Sequence, residues 1–277
     1  MTESAAPVRI VEQSPAYWCV VFDNPPINVV DQSVFEGLQE VLARMDASPA
    51  LRVVVFESAV REFYLAHFDL SGKSADIAAT VGPSGLPIPT DTFVRLTRSP
   101  IVSIAKIRGR ARGVGSEFVL ACDMRFASRE LAVLGQPEVG AGVIPGGGGT
   151  ERLPLLAGRG RALEIVLGSD DFDGDTAERY GYVNRALLDD QLDPFVDNLA
   201  RRIASFDRRP IAAAKDLINQ GSLPPVDRLL DARRTFTSAL TWPETHQRVQ
   251  ALFKRGLQQA GDLENRFGAH VASLLDA

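Results

Sequence analysis

An α/β core followed by a helical C-terminal region is the fold class this sequence predicts, and three observations predict it. Leu51–Phe56 (LRVVVF) and Ile101–Ile107 (IVSIAKI) are short, nearly unbroken apolar runs of the kind found in the buried middle of a parallel sheet. Between and after them, apolar residues recur at helical spacing. From Arg209 onward the pattern is almost wholly helical, broken at Pro224, Pro225 and Pro243. The boundary between the two parts is placed near Phe206, which divides residues 1–206 from residues 207–277.

Each element follows in order. Val8–Val11 and Tyr17–Phe22 are β-branched and aromatic runs that read as strands, and the turn-like DNPPIN follows them. Asp31 or Ser33 can cap the next segment, where Val34, Leu38, Val41, Leu42 and Met45 fall on one helical face. Pro49 marks the exit, and the Leu51–Phe56 strand comes next. Ser71–Pro89 is rich in Gly, Pro, Ser and Ala, and reads either as a surface connection or as a mobile cover over a site. Beyond the Ile101–Ile107 strand, Ser116–Asp123 predicts a buried helix and Met124–Ala127 a further strand. Glu151–Ala157, Gly160–Leu167 and Leu192–Ser205 complete the core as helices.

The totals exclude several classes of function. With 277 residues, 45% hydrophobic and 23% charged, the chain is an ordinary globular protein able to bury a substantial core. Its net charge of -5 argues against a dedicated nucleic-acid binder. Cys19 and Cys122 lack metal-ligand spacing and read as core residues. The N-terminal MTESAAPVRIVEQ has no basic segment followed by an apolar one, and no apolar run is long enough to span a membrane. A cytoplasmic, reducing location is expected.

Two glutamates carry the chemistry. Glu117 closes GRARGVGSE, and Glu138 sits in LGQPEVGAGVIPGGGGTERL. A pair of carboxylates facing one ligand can move a proton and a water across a carbon–carbon bond. The glycine-rich backbone beside each can present N–H groups to a developing negative charge. Together they point to chemistry on a carbonyl compound through an enolate-like intermediate. IPGGGGTER lacks the GK[ST] ending of a phosphate loop, and GVGSEF is not G-x-S-x-G, so Ser116 has no nucleophile elbow. No His, Cys and carboxylate cluster has ligand spacing, so no metal is expected.

Four stretches, in order and covering nearly the whole chain, resemble the crotonase superfamily of enoyl-CoA hydratases and isomerases. They are LRVVVFESAVREFYLAHFDL, SIAKIRGRARGVGSEFVLACDMRFAS, LGQPEVGAGVIPGGGGTERLPLLAGRGRALEIVLGS and RRPIAAAKDLIN. The resemblance implies a crotonase-like spiral of ββα units with a helical C-terminal region, assembled as a homotrimer or homohexamer. It implies an acyl-CoA thioester as substrate and no cofactor, coenzyme A being part of that substrate, with neither nucleic acid nor membrane as partner.

Carried onto this chain, the resemblance makes the N–H groups of Phe68 and Val114 the oxyanion-hole donors. Glu138 becomes the acid/base at the α-carbon, and Glu117 holds and activates water. Ala66, His67, Phe68, Asp69, Leu70 and Ser71 fall where the family binds the CoA thioester, and Lys254 where it often meets the adenosine phosphate. The implied activity is hydration of a 2-enoyl-CoA; an isomerase, another lyase or hydrolase, and a catalytically silent acyl-CoA-binding scaffold are the alternatives.

The chain also departs from the family pattern. Ala66-His67-Phe68-Asp69 has a histidine and a phenylalanine in place of small residues, and Val114 and Arg112 replace a glycine and an apolar residue. His67 reads either as an additional acid or base or as a space-filler donating to a backbone carbonyl. Arg108, Arg110 and Arg112 read as a solvated loop face, or alternatively as a cluster attracting phosphates or the enolate. His246 and His270 read as surface residues.

Overall fold

The computed structural model describes residues 6–274; the first five residues, part of the N-terminal stretch read above for a leader, and the last three lie outside it. The chain opens with an antiparallel hairpin, β1 (Val8–Ser14) and β2 (Tyr17–Phe22), in which Val8 pairs with Phe22. Helix α1 (Gln32–Asp46) follows. Asp31 rather than Ser33 is its N-cap, with Oδ1 accepting from Val34 N at 3.1 Å. The anticipated face of α1 is buried, with Phe35 added to it.

Three strand pairs, each followed by helix, then repeat. β3 (Val53–Ser58) and β4 (Phe63–Leu65) precede α2 (Ala75–Ala79) and α3 (Ile88–Arg98). β5 (Val102–Ile107) and β6 (Arg110–Arg112) precede α4 (Val114–Ala121). β7 (Met124–Ser128) and β8 (Val133–Gly135) precede α5 (Gly149–Ala157) and α6 (Arg159–Gly168). In each pair the first strand joins a six-stranded sheet and the second a four-stranded one. Every turn of this ββα spiral therefore delivers a helix from the same side. β9 (Asp171–Asp173), α7 (Gly174–Tyr180) and β10 (Arg185–Leu187) complete both sheets, in the orders β1-β2-β3-β5-β7-β10 and β4-β6-β8-β9.

The large sheet is parallel from β2 onward, and both its faces are covered. Val20, Phe22, Val54 and Phe56 face the main core, while Tyr17, Cys19, Val53 and Val55 alternate to the other side. There they meet α8 (Asp189–Ala204), whose Leu192, Val196 and Ala200 recur every four residues. On the main-core side, Phe118 of α4 packs edge-on against Phe22 and Phe56, at ring separations of 5.3 and 5.1 Å. These contacts fix the helix that carries Glu117. Asp31→Ala is expected to lower stability by about 1 kcal/mol through loss of the α1 cap, read as a shift of the urea midpoint without change of slope.

The remaining described elements are helices: α9 (Arg208–Ser222), α10 (Val226–Ala239), α11 (Pro243–Lys254), α12 (Asp262–Asn265) and α13 (Phe267–Ala272). Lys215 anchors α9 by donating to Ile101 O at 2.8 Å and Asp123 Oδ2 at 2.7 Å. α10 packs Phe236 against the glycine loop 146–148, and a Cβ on Gly146 would stand 2.6 Å from it. The Ser71–Pro89 stretch is part helix, and its last residues run into α3. Among the described residues no helix is long and apolar enough to cross a membrane.

Candidate active site

Two backbone donors are set by the spiral. Val30 N–H donates to His67 O at 3.1 Å, and Asp69 N–H donates to Val30 O at 3.1 Å. This parallel bridge grips the residues on either side of Phe68 and leaves the Phe68 N–H directed away from Val30. Val114 is the first residue of α4, where an N–H has no intrahelical partner. Among the described residues neither N–H has a backbone acceptor, and both residues line one cleft.

Their closeness depends on glycine. Gly113 takes a positive φ of 52°, a conformation L side chains rarely adopt. A Cβ at Gly115 would overlap the Leu65 carbonyl oxygen, so the first turn of α4 lies directly on the end of β4.

The cleft encloses about 610 Å³ including its open mouth, and both glutamates line it. Glu117 is 2% exposed. Its Oε1 accepts from Gly147 N at 2.7 Å and Gly149 N at 2.9 Å. Burial raises its pKa; the two N–H donors and the guanidinium of Arg152 pull the other way. A Cβ on Gly147 would stand 2.6 Å from Glu117 Oε2, so glycine there leaves room for the carboxylate.

Glu138 is buried on the other wall, and a Cβ on Gly113 would lie 3.2 Å from its Oε1. Burial, and then the charge of Glu117, push its pKa well above the ordinary carboxylate range. The pair is thus unequal. Both pKa values are raised, but two backbone amides favour the charged form of Glu117, whereas the charge of Glu117 disfavours that of Glu138.

A polar layer supports the pair from behind. With its amide nitrogen toward Glu138, Gln136 donates to Oε2 at 3.0 Å while its oxygen accepts from Ser116 Oγ at 2.9 Å. Ser116 also bonds the Tyr182 hydroxyl, which accounts for a wholly buried serine with no nucleophilic role. Arg152 is buried and donates to Gly147 O at 3.1 Å. Burial lowers its pKa to about 10, which leaves it charged at neutrality behind the loop that binds Glu117.

The loop that carries Phe68 is fastened by the C-terminal helices. His67 Nδ1 donates to Phe68 O at 3.0 Å and Nε2 donates to Glu264 Oε1 at 2.9 Å. Burial alone would lower the His67 pKa, but the charge and hydrogen bond of Glu264 outweigh it and raise it. Burial would likewise raise Glu264, and His67 together with Gln258 N–H brings it down. His67 is therefore an imidazolium locked to a carboxylate. It does donate to a backbone carbonyl, as one sequence reading held, but it is an ion-pair member rather than a space-filler.

Arg112 corrects a second expectation. It is 2% exposed, not part of a solvated face, and grips Asp171 with two bonds of 2.6 and 2.7 Å while donating to Glu264 O. Arg108 pairs with Asp189 and Asp193, and Arg110 lies over Phe63, so neither lines the cleft.

The other loop residues serve the same fastening. Asp69 is buried, and its carboxylate accepts from Ser71 N, Ser74 Oγ and Gln258 Nε2. Burial would raise its pKa, and those donors lower it. Leu70 N–H donates to Gln258 Oε1 at 3.1 Å. Ala66 is buried and Ser71 exposed. Lys254 is exposed in the last turn of α11 and does not line the cleft. Local sequence carries no signal for Arg233, Gln258 or Glu264, because each acts on a residue far from it along the chain.

The family model described as enoyl-CoA hydratase/isomerase matches residues 13–258. The chain is similar to a crotonyl-CoA hydratase of Syntrophomonas wolfei subsp. wolfei, 30% identical over 227 residues that cover 80% of this chain and 85% of the relative. It is 28% identical to a short-chain-enoyl-CoA hydratase of Clostridium acetobutylicum over 222 residues, 80% of this chain and 84% of the other. A Streptomyces avermitilis crystal structure provisionally described as an enoyl-CoA hydratase superposes with a TM-score of 0.91 at 42% identity, covering 98% of each chain.

Proposed function

The chain belongs to the enoyl-CoA hydratase/isomerase family, and from that premise we propose that it adds water to a 2-enoyl-CoA thioester. One observation carries the reading. Glu117, held by two amides, and Glu138, whose pKa burial pushes well up, line the same cleft as two backbone N–H groups without a protein acceptor among the described residues.

In the forward reaction the thioester oxygen sits between the N–H groups of Phe68 and Val114. Glu117 takes a proton from water as the water oxygen bonds to the β-carbon. The alkene electron pair moves onto the thioester as an enolate, whose oxyanion the two donors stabilise. Each such donor is typically worth about 3–4 kcal/mol at the transition state. Glu138 then gives its proton to the α-carbon, and the two carboxyls return to their starting states by exchange with solvent. No cofactor enters; coenzyme A arrives as part of the substrate, with Ala66 to Ser71 and Lys254 as its proposed contacts.

The finer assignments rest on surface features. Leu167, Leu217 and Ile218 are 61%, 68% and 67% exposed, which supports burial against further copies of this chain as a homotrimer or homohexamer. A cytoplasmic location fits the buried, unpaired cysteines.

The test is loss of the 2-enoyl thioester absorbance with crotonyl-CoA, in wild type and in Glu117→Gln. Loss in wild type alone supports hydration through Glu117; no loss in either sinks the reading. A pH profile adds a second check. Activity needs Glu117 ionised and Glu138 protonated, and both pKa values are raised. A plot of kcat/KM against pH is therefore expected to fall on the acid side above the ordinary glutamate range, and on the alkaline side as Glu138 ionises. A flat profile from about pH 5 to about pH 9 would count against that division.

A further inference from the structure

Arg233 is a cation on the cleft wall without an acidic partner. It lies on α10, three residues before Phe236, so both side chains fall on the same helical face. Its guanidinium stands over the Phe236 ring at 5.3 Å and donates a single bond, from Nη2 to Ala78 O at 3.1 Å. Among the described residues no carboxylate approaches it within ion-pair distance, whereas eight other arginines have such partners. Arg233 also borders a neighbouring cavity of about 1130 Å³ that shares Phe68, Leu70 and Phe236 with the catalytic cleft. The walls around it are mostly apolar, and of the carboxylates that line the two, Glu117, Glu138 and Asp69, none is within ion-pair distance of it.

A half-buried guanidinium with one neutral protein acceptor keeps most of its donors free for a ligand anion. Its planar fork matches a carboxylate with two parallel bonds. Arg152, the other charged arginine near the catalytic pair, is committed behind the glycine loop and does not line the cleft.

Building on the hydratase reading, we propose that Arg233 is a specificity-determining residue that receives an acyl group ending in a carboxylate. The preferred substrate class is then the mono-CoA thioester of an unsaturated dicarboxylic acid. A methyl-terminated acyl chain of the same length fills the cleft but leaves the guanidinium unpaired. The same fork could instead be occupied by a phosphate of coenzyme A, and the experiment separates the two sources.

Equilibrium binding of two saturated thioesters, glutaryl-CoA and pentanoyl-CoA, is measured by calorimetry on the wild-type protein, Arg233→Met and Arg233→Lys. The two ligands share every atom of coenzyme A and neither can be hydrated, so the result does not depend on turnover. Wild type is expected to bind glutaryl-CoA about 10–100-fold more tightly. Arg233→Met is expected to remove that preference while leaving pentanoyl-CoA affinity within about twofold, and Arg233→Lys to retain part of it. Equal binding of the two by wild type overturns the proposal without any variant. Equal weakening of both ligands in Arg233→Met overturns it in favour of a CoA phosphate. Failure of the hydratase reading itself would show separately, as absence of turnover with every 2-enoyl-CoA.

Discussion

Glu138→Gln is expected to lower kcat for crotonyl-CoA hydration by about two to four orders of magnitude while changing KM little. The amide keeps the shape of the carboxyl and its place against Gly113, but it has no proton acidic enough to reach the α-carbon. Glu117→Gln is expected to cost a similar factor for a different reason. It keeps an oxygen to accept from Gly147 and Gly149 but cannot take a proton from water. The double variant should be little worse than either single one, because the two groups serve one reaction and losing either already blocks it. A stopped assay of 3-hydroxyacyl-CoA formation checks all three. Solvent exchange of the α-proton separates the roles, since it should survive better in Glu117→Gln than in Glu138→Gln. A Glu117→Gln enzyme that hydrates at the wild-type rate would remove this glutamate from the mechanism.

Glu264→Ala should be the most damaging single change outside the carboxylate pair. His67 is 7% exposed and Glu264 is 0% exposed, so the variant strands a buried imidazolium. Breaking a buried pair in this way costs about 3–5 kcal/mol. It also releases Gln258 N–H from the Glu264 carboxylate, and with it one brace of the loop that bears the Phe68 donor. A donor displaced by about 1 Å can cost about 10²-fold in rate. His67→Phe combined with Glu264→Leu should recover much of the stability, since no charge is left unpaired.

The pH dependence of this pair has a definite sign. The His67 pKa is raised from 6.5, so its contribution is full below 6.5 and fades as pH rises through the folded value. The Glu264 pKa is lowered from 4.5, so its contribution is full above 4.5 and fades as pH falls through the folded value. Urea unfolding of wild type and the double variant should therefore differ most between those two values. A stability difference that does not vary with pH would show that the pair is not ionised.

The features legible in the sequence were those written in consecutive residues. Strands of six residues, β2, β3 and β5, announce themselves through β-branched runs, and the face of α1 through its spacing. The glutamates and the glycines beside them lie together in short stretches, so the cleft could be located before its walls were seen. The three-residue strands β4, β6, β8, β9 and β10 escaped, because they are defined by lateral pairing and are too short to show a period. α3 escaped because its buried side includes Thr90, Asp91, Thr92 and Thr97, which no apolar pattern reveals. Asp91 is satisfied there by Gln39 and by Ser84. Arg112 looked solvent-facing because its neutralising partner, Asp171, lies 59 positions further on.

The bond between His67 and Glu264 spans 197 positions. During synthesis the oxyanion loop emerges early, and the carboxylate that fixes it emerges only after nearly every other element has been made. A growing chain can assemble its sheets and even its two glutamates without holding a finished site. A chain truncated before α12 would carry Glu117 and Glu138 but lack the carboxylate that holds His67.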